Sequence, residues 1–486
     1  MIAISALHLC FLPWAFGGVD AWSQFVSLGL ALGAAALALL PRRHSSRSHS
    51  EVDPCIPMWP RLRSFPVFWA GLALFAYVAA QGCNPAFERK FDESTWWLVR
   101  IAHRWWMPSG MKTPFDEMNT WRTLVIWGSC WLTVCALWVG VTRRRSILWM
   151  LTILTANAAA LAAFGIVQRA AGATAVYSVR TVQGTHFVAA LIYENHASAF
   201  FSLLACVAFG LLLRAATGDV SDQDRSGSAG IFMLFGVLSV VGLVLSFSFA
   251  GMALFGSALL VMVLAWLWHN ARARSRSRSA LPIFIMAALL LLTTTVLFAT
   301  VGYRDLQKKI ATMKAGGGID EVKIRLLADT RGWEMFTDRW LFGWGAGDFR
   351  YGFTKYQHRE PALSFRGNER LRWEHAHDDW LELLIELGVI GIIPIGFMLG
   401  YWIREFYRVR LCKNLARLSI LSGLTALAVH ALFDFPLQNP AILTTACALL
   451  PLLVRWAEIE TPDGQECRRT DSHCVDTRNP GRSTAC

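Results

Sequence analysis

Long apolar runs recur through this chain, near residues 1–19, 22–41, 65–82, 121–141, 147–168, 188–214, 230–248, 251–269, 281–301, 384–402, 417–433 and 439–455. Each is close to the length, roughly 17–25 residues, that an α-helix needs to cross a hydrocarbon layer roughly 30 Å thick while satisfying its own backbone hydrogen bonds. With 55% of its 486 residues hydrophobic, the chain carries more apolar surface than one water-soluble core can bury. The pattern predicts an all-α integral membrane protein with twelve transmembrane helices. The lipid bilayer is its first partner.

Orientation follows from the basic residues, because short cytoplasmic loops collect Lys and Arg. Arg42, Arg43 and Arg47 form one cluster, Arg143, Arg144 and Arg145 a second, the run Arg272 to Arg278 a third, and Arg404, Arg408, Arg410 and Lys413 a fourth. Twelve spans put all four on one side, which predicts that both termini are cytoplasmic. The formal charge of +12 is then explained by topology and by attraction to anionic lipid, with no nucleic-acid partner. The first span starts without a charged leader region, and "AFGGVDAW" is a poor cleavage site, so it is expected to be retained. Cys10, Cys130, Cys135, Cys206 and Cys447 fall in spans, and Cys55, Cys412, Cys467, Cys474 and Cys486 on the cytoplasmic side. That leaves Cys83 at the periplasmic boundary and no disulfide framework.

The expected organisation is a transmembrane segment 1–82 with a basic cytoplasmic loop 42–64, a periplasmic loop 83–120, central spans 121–302, a large periplasmic loop 303–383, C-terminal spans 384–456 and a disordered tail 457–486. Within 83–120, "TWWLVRIAHRWW" is expected to be an interfacial amphipathic segment anchored by tryptophan. Residues 303–383 mix Arg with Trp, Tyr and Phe and are too long for a mere connection, so the chemistry is expected there.

In that loop, "DRWLFGWGAGDFRYGFTKY" interleaves Gly343, Gly345 and Gly347 with aromatic residues. No strand precedes and no βαβ helix follows, which excludes a dinucleotide site; the glycines permit a tight turn against helix packing or substrate. Next, in "RWEHAHDDWLELLIELGVIGIIPIGF", Asp378 or Asp379 can cap a helix that places Leu381, Leu384, Ile385 and Gly388 on helical spacing. His375 and His377 precede it. An imidazole beside carboxylates suits a general base that deprotonates a sugar hydroxyl. Two other readings stay open: a metal site of His375, His377, Asp378, Asp379 and Glu374, which lacks a committed third ligand, and histidines that cap a helix at headgroup level. Asn195 and His196 open one span and His430 and Asp434 close another. Such groups at membrane depth line a polar cavity or pair for helix packing.

Four stretches in order resemble the O-antigen ligase, O-antigen polymerase and exopolysaccharide polymerase superfamily. "HAHDDWLELLIELGVIG" is similar to its His-Asn or His-Asp pair followed by "xLxLLxExGxxG", and "IRLLADTRGWEMFTDRWLFGWGAGDF" to its "R…W…D-x-P-L-x-G-x-G-x-x-F" segment. "YENHASAF" is similar to "N-x-N-H-x-A", and "HALFDFPLQNP" to "H-S-x-x-D-F". The resemblance covers roughly residues 160–455. It implies a GT-C-like membrane glycosyltransferase of the bacterial inner membrane, with its active site facing the periplasm. The donor would be an undecaprenyl-diphosphate-linked glycan and the acceptor a sugar hydroxyl on a glycan, a lipid A-core or a protein-bound glycan. No cofactor, nucleotide sugar or obligatory metal is implied. His377 would be the base. A diphosphate leaving group needs its growing charge stabilised, which guanidinium does with bidentate hydrogen bonds. Arg325 takes the place of the family's loop arginine, with Arg331, Arg366, Arg370 and Arg372 as assistants; a solvated charged face is the alternative for each. Substrate binding is also assigned to His375, Asn195, His196, His430 and Asp434.

One departure stands out. Many members of the family carry an arginine in a short periplasmic turn, "S-R-G/A", where this chain reads Ser248, Phe249, Ala250 and Gly251. Either Arg169 or Arg180 supplies the second diphosphate contact, or activity is altered. Two other classes compete with the enzyme. A transporter of lipid-linked oligosaccharide should show internal repeats, which the chain does not, and a non-catalytic envelope-assembly protein would not need His377.

Overall fold

The computed structural model describes residues 1–43, 55–56, 58–92, 95–177, 179–181, 187–216, 222–272, 311, 317–366 and 369–460. Two short apolar helices are present, α1 (Ile2–Trp14) and α11 (Leu415–His430). Nine others among the described residues contain stretches long and apolar enough to cross a membrane. They are α2 (Ala21–Leu39), α3 (Pro66–Cys83), α4 (Thr120–Gly140), α5 (Arg144–Ala170), α6 (Glu194–Ala216), α7 (Asp222–Leu245), α8 (Phe249–Arg272), α10 (Asp379–Arg408) and α12 (Pro440–Glu460). Between α8 and α10 lies α9 (Gly317–Asp338), which is too polar to span. In order these helices account for every expected span except 281–301. That span, the remainder of the third basic cluster beyond Arg272 and the tail from 461 onward lie outside the described residues.

The helix α6 is the axis of the bundle: 94% of its apolar window is buried. It packs against α7, α8 and α11, and the Ser419 hydroxyl of α11 donates to the Cys206 carbonyl of α6 at 2.6 Å. Small residues and hydroxyls at such a contact let two backbones approach where lipid gives no hydrophobic drive. At one end, Arg144 meets Glu460 at 2.9 Å and Arg408 pairs with Glu458. The second and fourth basic clusters therefore share one end of the bundle, as the charge distribution requires.

The opposite end carries the insertion, which has its own core of Met111, Met335, Trp344, Phe349, Tyr351, Tyr356, Leu363 and Ile385. Here the segment expected at the interface takes strand form. Phe87–Phe91 and Trp96–Arg100 form an antiparallel pair, joined by Met111–Lys112. Strand alternation explains it: Trp96 packs edge-on against Tyr351 at 5.9 Å, whereas its neighbour Trp97 is 48% exposed. The Arg89 guanidinium fills the space between, 2.6 Å from Glu117 and 5.1 Å from the Trp96 ring.

The glycine-rich stretch docks against a break in α10. At Gly388 the helix leaves helical geometry (φ 64°, ψ −179°), which only glycine adopts without strain. The freed groups are taken up by the stretch that precedes them in sequence: Trp344 N donates to Ile385 O (2.9 Å), Gly345 N to Glu386 O (3.0 Å) and Val389 N to Trp340 O (2.8 Å). Gln81 of α3 donates to both Phe342 O and Glu386 O. Buried backbone at membrane depth must be paired, and this segment pairs it.

A side chain at Gly343 (φ 74°) would lie 2.2 Å from Glu386 O, whereas one at Gly396 meets nothing within 4 Å. Gly343→Ala is expected to lower the thermal unfolding midpoint of the detergent-solubilised protein, with strain alone costing about 1–3 kcal/mol. Gly396→Ala should leave it unchanged; equal losses would contradict the docking account.

Candidate functional site

The site is built at the start of α10. Asp378 caps the helix, its carboxylate accepting from Trp380 N and Leu381 N at 2.9 and 3.0 Å. One turn in, Glu382 reaches back: Oε1 lies 2.9 Å from His375 Nδ1 and Oε2 accepts from Ala376 N at 2.8 Å. This clamp and the cap hold the intervening His377 at φ 58°, a left-handed conformation unusual for a residue with a side chain.

Three chain segments meet in front of His377. Its Nδ1 is 3.7 Å from Asp434 Oδ1, beyond hydrogen-bond distance. Arg325, from α9, places Nη1 3.7 Å from Asp434 Oδ2 and 3.3 Å from Phe433 O. Asn195, in the first turn of α6, donates to Asp434 Oδ2 and also contacts the Tyr193 hydroxyl. His196 Nε2 lies 3.1 Å from Phe435 O. The Phe435 ring is the packing hub, touching Tyr193, His196, His375 and His377 with centroids 4.7–5.2 Å apart. His430, four residues before Asp434, is buried with no hydrogen-bond partner at Nε2.

Electrostatics separates the two histidines. Burial, helped by the Arg350 guanidinium, pushes His375 down to about 3, so at neutral pH it is uncharged. Its nitrogens already face Glu382 and, at 3.4 Å, Arg350. His377 is the histidine whose ring remains available, about a fifth exposed. Burial pushes the Asp434 carboxyl up, but the His377 and Arg325 side chains and the Phe435 N–H outweigh it and hold it below the usual carboxylate range. An ionised Asp434 can orient the imidazole through Nδ1 and leave Nε2 free to accept a proton.

Other assignments from the sequence change. Arg331 sits six residues beyond Arg325, about a third of a turn around the helix, and pairs with Glu334 and Glu360 instead of facing His377. Arg372 meets Glu117 at 3.6 Å, and Arg180 meets Asp20 at 3.2 Å; neither joins the cluster. Arg366 and Arg370 lie on a short antiparallel pair of strands. Arg169 stacks over Phe247 at 5.1 Å, in the turn just before α8. Among the described residues no three of His, Cys, Asp and Glu converge as metal ligands. Sequence reasoning missed Glu382, Arg350 and Phe435. The signals were modest: a Glu one turn into a capped helix, and an aromatic following Asp434.

A family model described as O-antigen ligase (Wzy_C) matches residues 234–396. The match takes in Arg325 and His377; Asn195, His196, His430 and Asp434 lie beyond it. A search of curated proteins gave no match. The match and the membrane-length helices accord with a multi-pass membrane enzyme of the O-antigen ligase or polymerase type.

Asp329, one turn from Arg325 and beside Asp378, has a carboxyl raised to about 6 by burial and by Asp378, against the pull of Arg325. The folded state therefore holds this proton more tightly than the unfolded chain does. The resulting stabilisation is complete below about pH 4 and lost as pH rises through about 6. Asp329→Asn should raise the unfolding midpoint at about pH 7.5, with the gain vanishing near pH 4; a gain independent of pH would refute the burial argument.

Proposed function

We propose that the chain transfers or polymerises a polyprenyl-diphosphate-linked glycan onto a sugar hydroxyl at the periplasmic face. The observation that carries this reading is the convergence of Arg325 and His377 on one buried carboxylate, each 3.7 Å from Asp434, inside and beside the segment that matches the O-antigen ligase family model.

In this reading His377 Nε2 takes the proton of the acceptor hydroxyl as its oxygen attacks the anomeric carbon. The bond from that carbon to the diphosphate oxygen breaks, and the polyprenyl diphosphate leaves with the electron pair. Arg325 faces the leaving diphosphate. Its guanidinium is only about a third exposed, and partial removal from water strengthens its attraction for the developing charge. Arg169, poised over Phe247, is the second guanidinium we assign to the diphosphate, in place of the arginine that the family's turn would carry. A lean toward polymerisation rests on the overlap of the ligase and polymerase signatures.

The test is glycan length and attachment in a deletion strain carrying each variant at equal membrane level. His377→Ala and Arg325→Ala should each lower product by about 10²- to 10⁴-fold and accumulate lipid-linked glycan. Arg169→Ala should reduce product, while Arg180→Ala, whose partner is Asp20, should not. Full complementation by both His377→Ala and Arg325→Ala would leave the envelope-assembly reading in its place.

A further inference from the structure

Sharing no residue with the cluster around Asp434, a pocket of about 210 Å³ lies where the insertion meets the end of α3, with His103, Trp105, Ser109, Asp338, Arg339 and Trp340 in its walls. Both walls are tied to that helix. Asn84, the residue after α3, accepts from Arg104 N at 2.8 Å and donates to Pro108 O at 3.1 Å. The Tyr77 hydroxyl of α3 donates to Phe342 O at 2.8 Å. Beside the pocket, Trp340 O accepts from Val389 N at 2.8 Å, and from there α10 exposes Ile390, Ile393 and Phe397 on one face. A bare apolar face on a membrane helix is a lipid contact, so the pocket opens at the level where the hydrocarbon ends. Trp105 (81% exposed) and Trp340 (54%) stand uncovered there, as tryptophan does at the headgroup level.

Arg339 is the unusual member. Its Nη1 donates to Ser109 Oγ at 3.1 Å, and its guanidinium carbon lies 4.9 and 5.1 Å from the Trp344 and Phe87 ring centres. Among the described residues no carboxylate pairs with it. Asp338, the one carboxylate in the pocket wall, is taken by the Tyr356 hydroxyl and by Lys355 at 3.3 Å. Arg100 adds a like charge: burial and this second guanidinium push Arg339 down from its ordinary value. A guanidinium keeps its proton in a protein, so the cost persists as a charge without a counterion. Ring faces offset it only in part, since they offer a quadrupole and not a charge. An anion in the pocket removes the cost. At the surface of a bilayer that anion is lipid phosphate, and the chains attached to it meet the apolar face of α10.

We infer that this pocket binds the phosphate of an anionic phospholipid, its head against Arg339 and its acyl chains along Ile390, Ile393 and Phe397. The site is separate from the position assigned to the diphosphate donor and does not rest on the transferase reading. Arg339 follows α9 directly and leads into the stretch that docks at the Gly388 break. A bound lipid therefore braces the joint between the helix that carries Arg325 and the helix that His377 precedes.

The test uses the full-length protein in phosphatidylcholine nanodiscs that contain a little phosphatidylglycerol with a diazirine at its headgroup, irradiated and mapped by peptide mass spectrometry. Adducts are expected on residues 103–109 and 338–343. Exchanging part of the bulk lipid for unlabelled phosphatidylglycerol should displace them, and inorganic phosphate in large excess should not. Arg339→Gln should cut the adducts on 338–343 by about tenfold and Trp105→Ala by about threefold, with adducts near Arg404 and Arg408, at the other end of the bundle, unchanged. Trp105 is exposed, so its variant keeps the test valid where Arg339→Gln lowers the yield of folded protein. Labelling of 338–343 unchanged in Trp105→Ala, or adducts that unlabelled phosphatidylglycerol leaves in place, would overturn the inference. Displacement by inorganic phosphate would make this a site for a free anion and overturn the lipid assignment.

Discussion

Asp434 is the group on which the site depends. A carboxylate buried to 2% exposure is tolerated only when donors and cations surround it. It gathers them from far apart in the chain: Asn195 from α6, Arg325 from α9 and His377 from the turn before α10. Meeting that demand draws the insertion down onto the membrane helices. The break in α10 at Gly388 provides the second attachment, because the glycine-rich stretch that pairs with it leads directly from the end of α9. Together these contacts hold Arg325 beside Asp434 Oδ2 and His377 beside Oδ1.

The two histidines differ in their surroundings. His375 is locked between Glu382 and Arg350 and stays neutral, which makes it part of the frame. His377 is left in a left-handed backbone conformation, with its ring edge against Phe435 and Trp373. Strain of this kind persists only where neighbouring contacts enforce it, here the Asp378 cap and the Glu382 clamp. A strained, partly exposed imidazole beside an ionised carboxylate suits the proton transfer we propose for it.

How much of this could be read from sequence depended on whether the controlling property was local. The membrane helices were legible because length and apolarity are intrinsic to each segment. Asp378 as a helix cap was legible for the same reason, since capping involves the next three residues. The strands at 87–100 were not, because adjacent tryptophans near basic residues fit an interfacial segment as well as a strand whose inner face meets Tyr351. Arg331 was expected to assist Arg325, but helical geometry turns it toward Glu334 and Glu360. The roles of Glu382 and Phe435 exist only once distant segments have met, and no local pattern announces them. Asp434 was expected to line a cavity; that it bridges Arg325 and His377 is a tertiary fact.

The most direct test of this account is single-turnover glycan transfer by purified protein in nanodiscs, comparing Asp434→Asn with wild type at matched donor occupancy. If Asp434 organises the base and the guanidinium, the variant should bind polyprenyl-diphosphate-linked glycan yet transfer it about 10²-fold more slowly or worse. Transfer at the wild-type rate would show that the carboxylate serves packing alone and that the chemistry lies elsewhere.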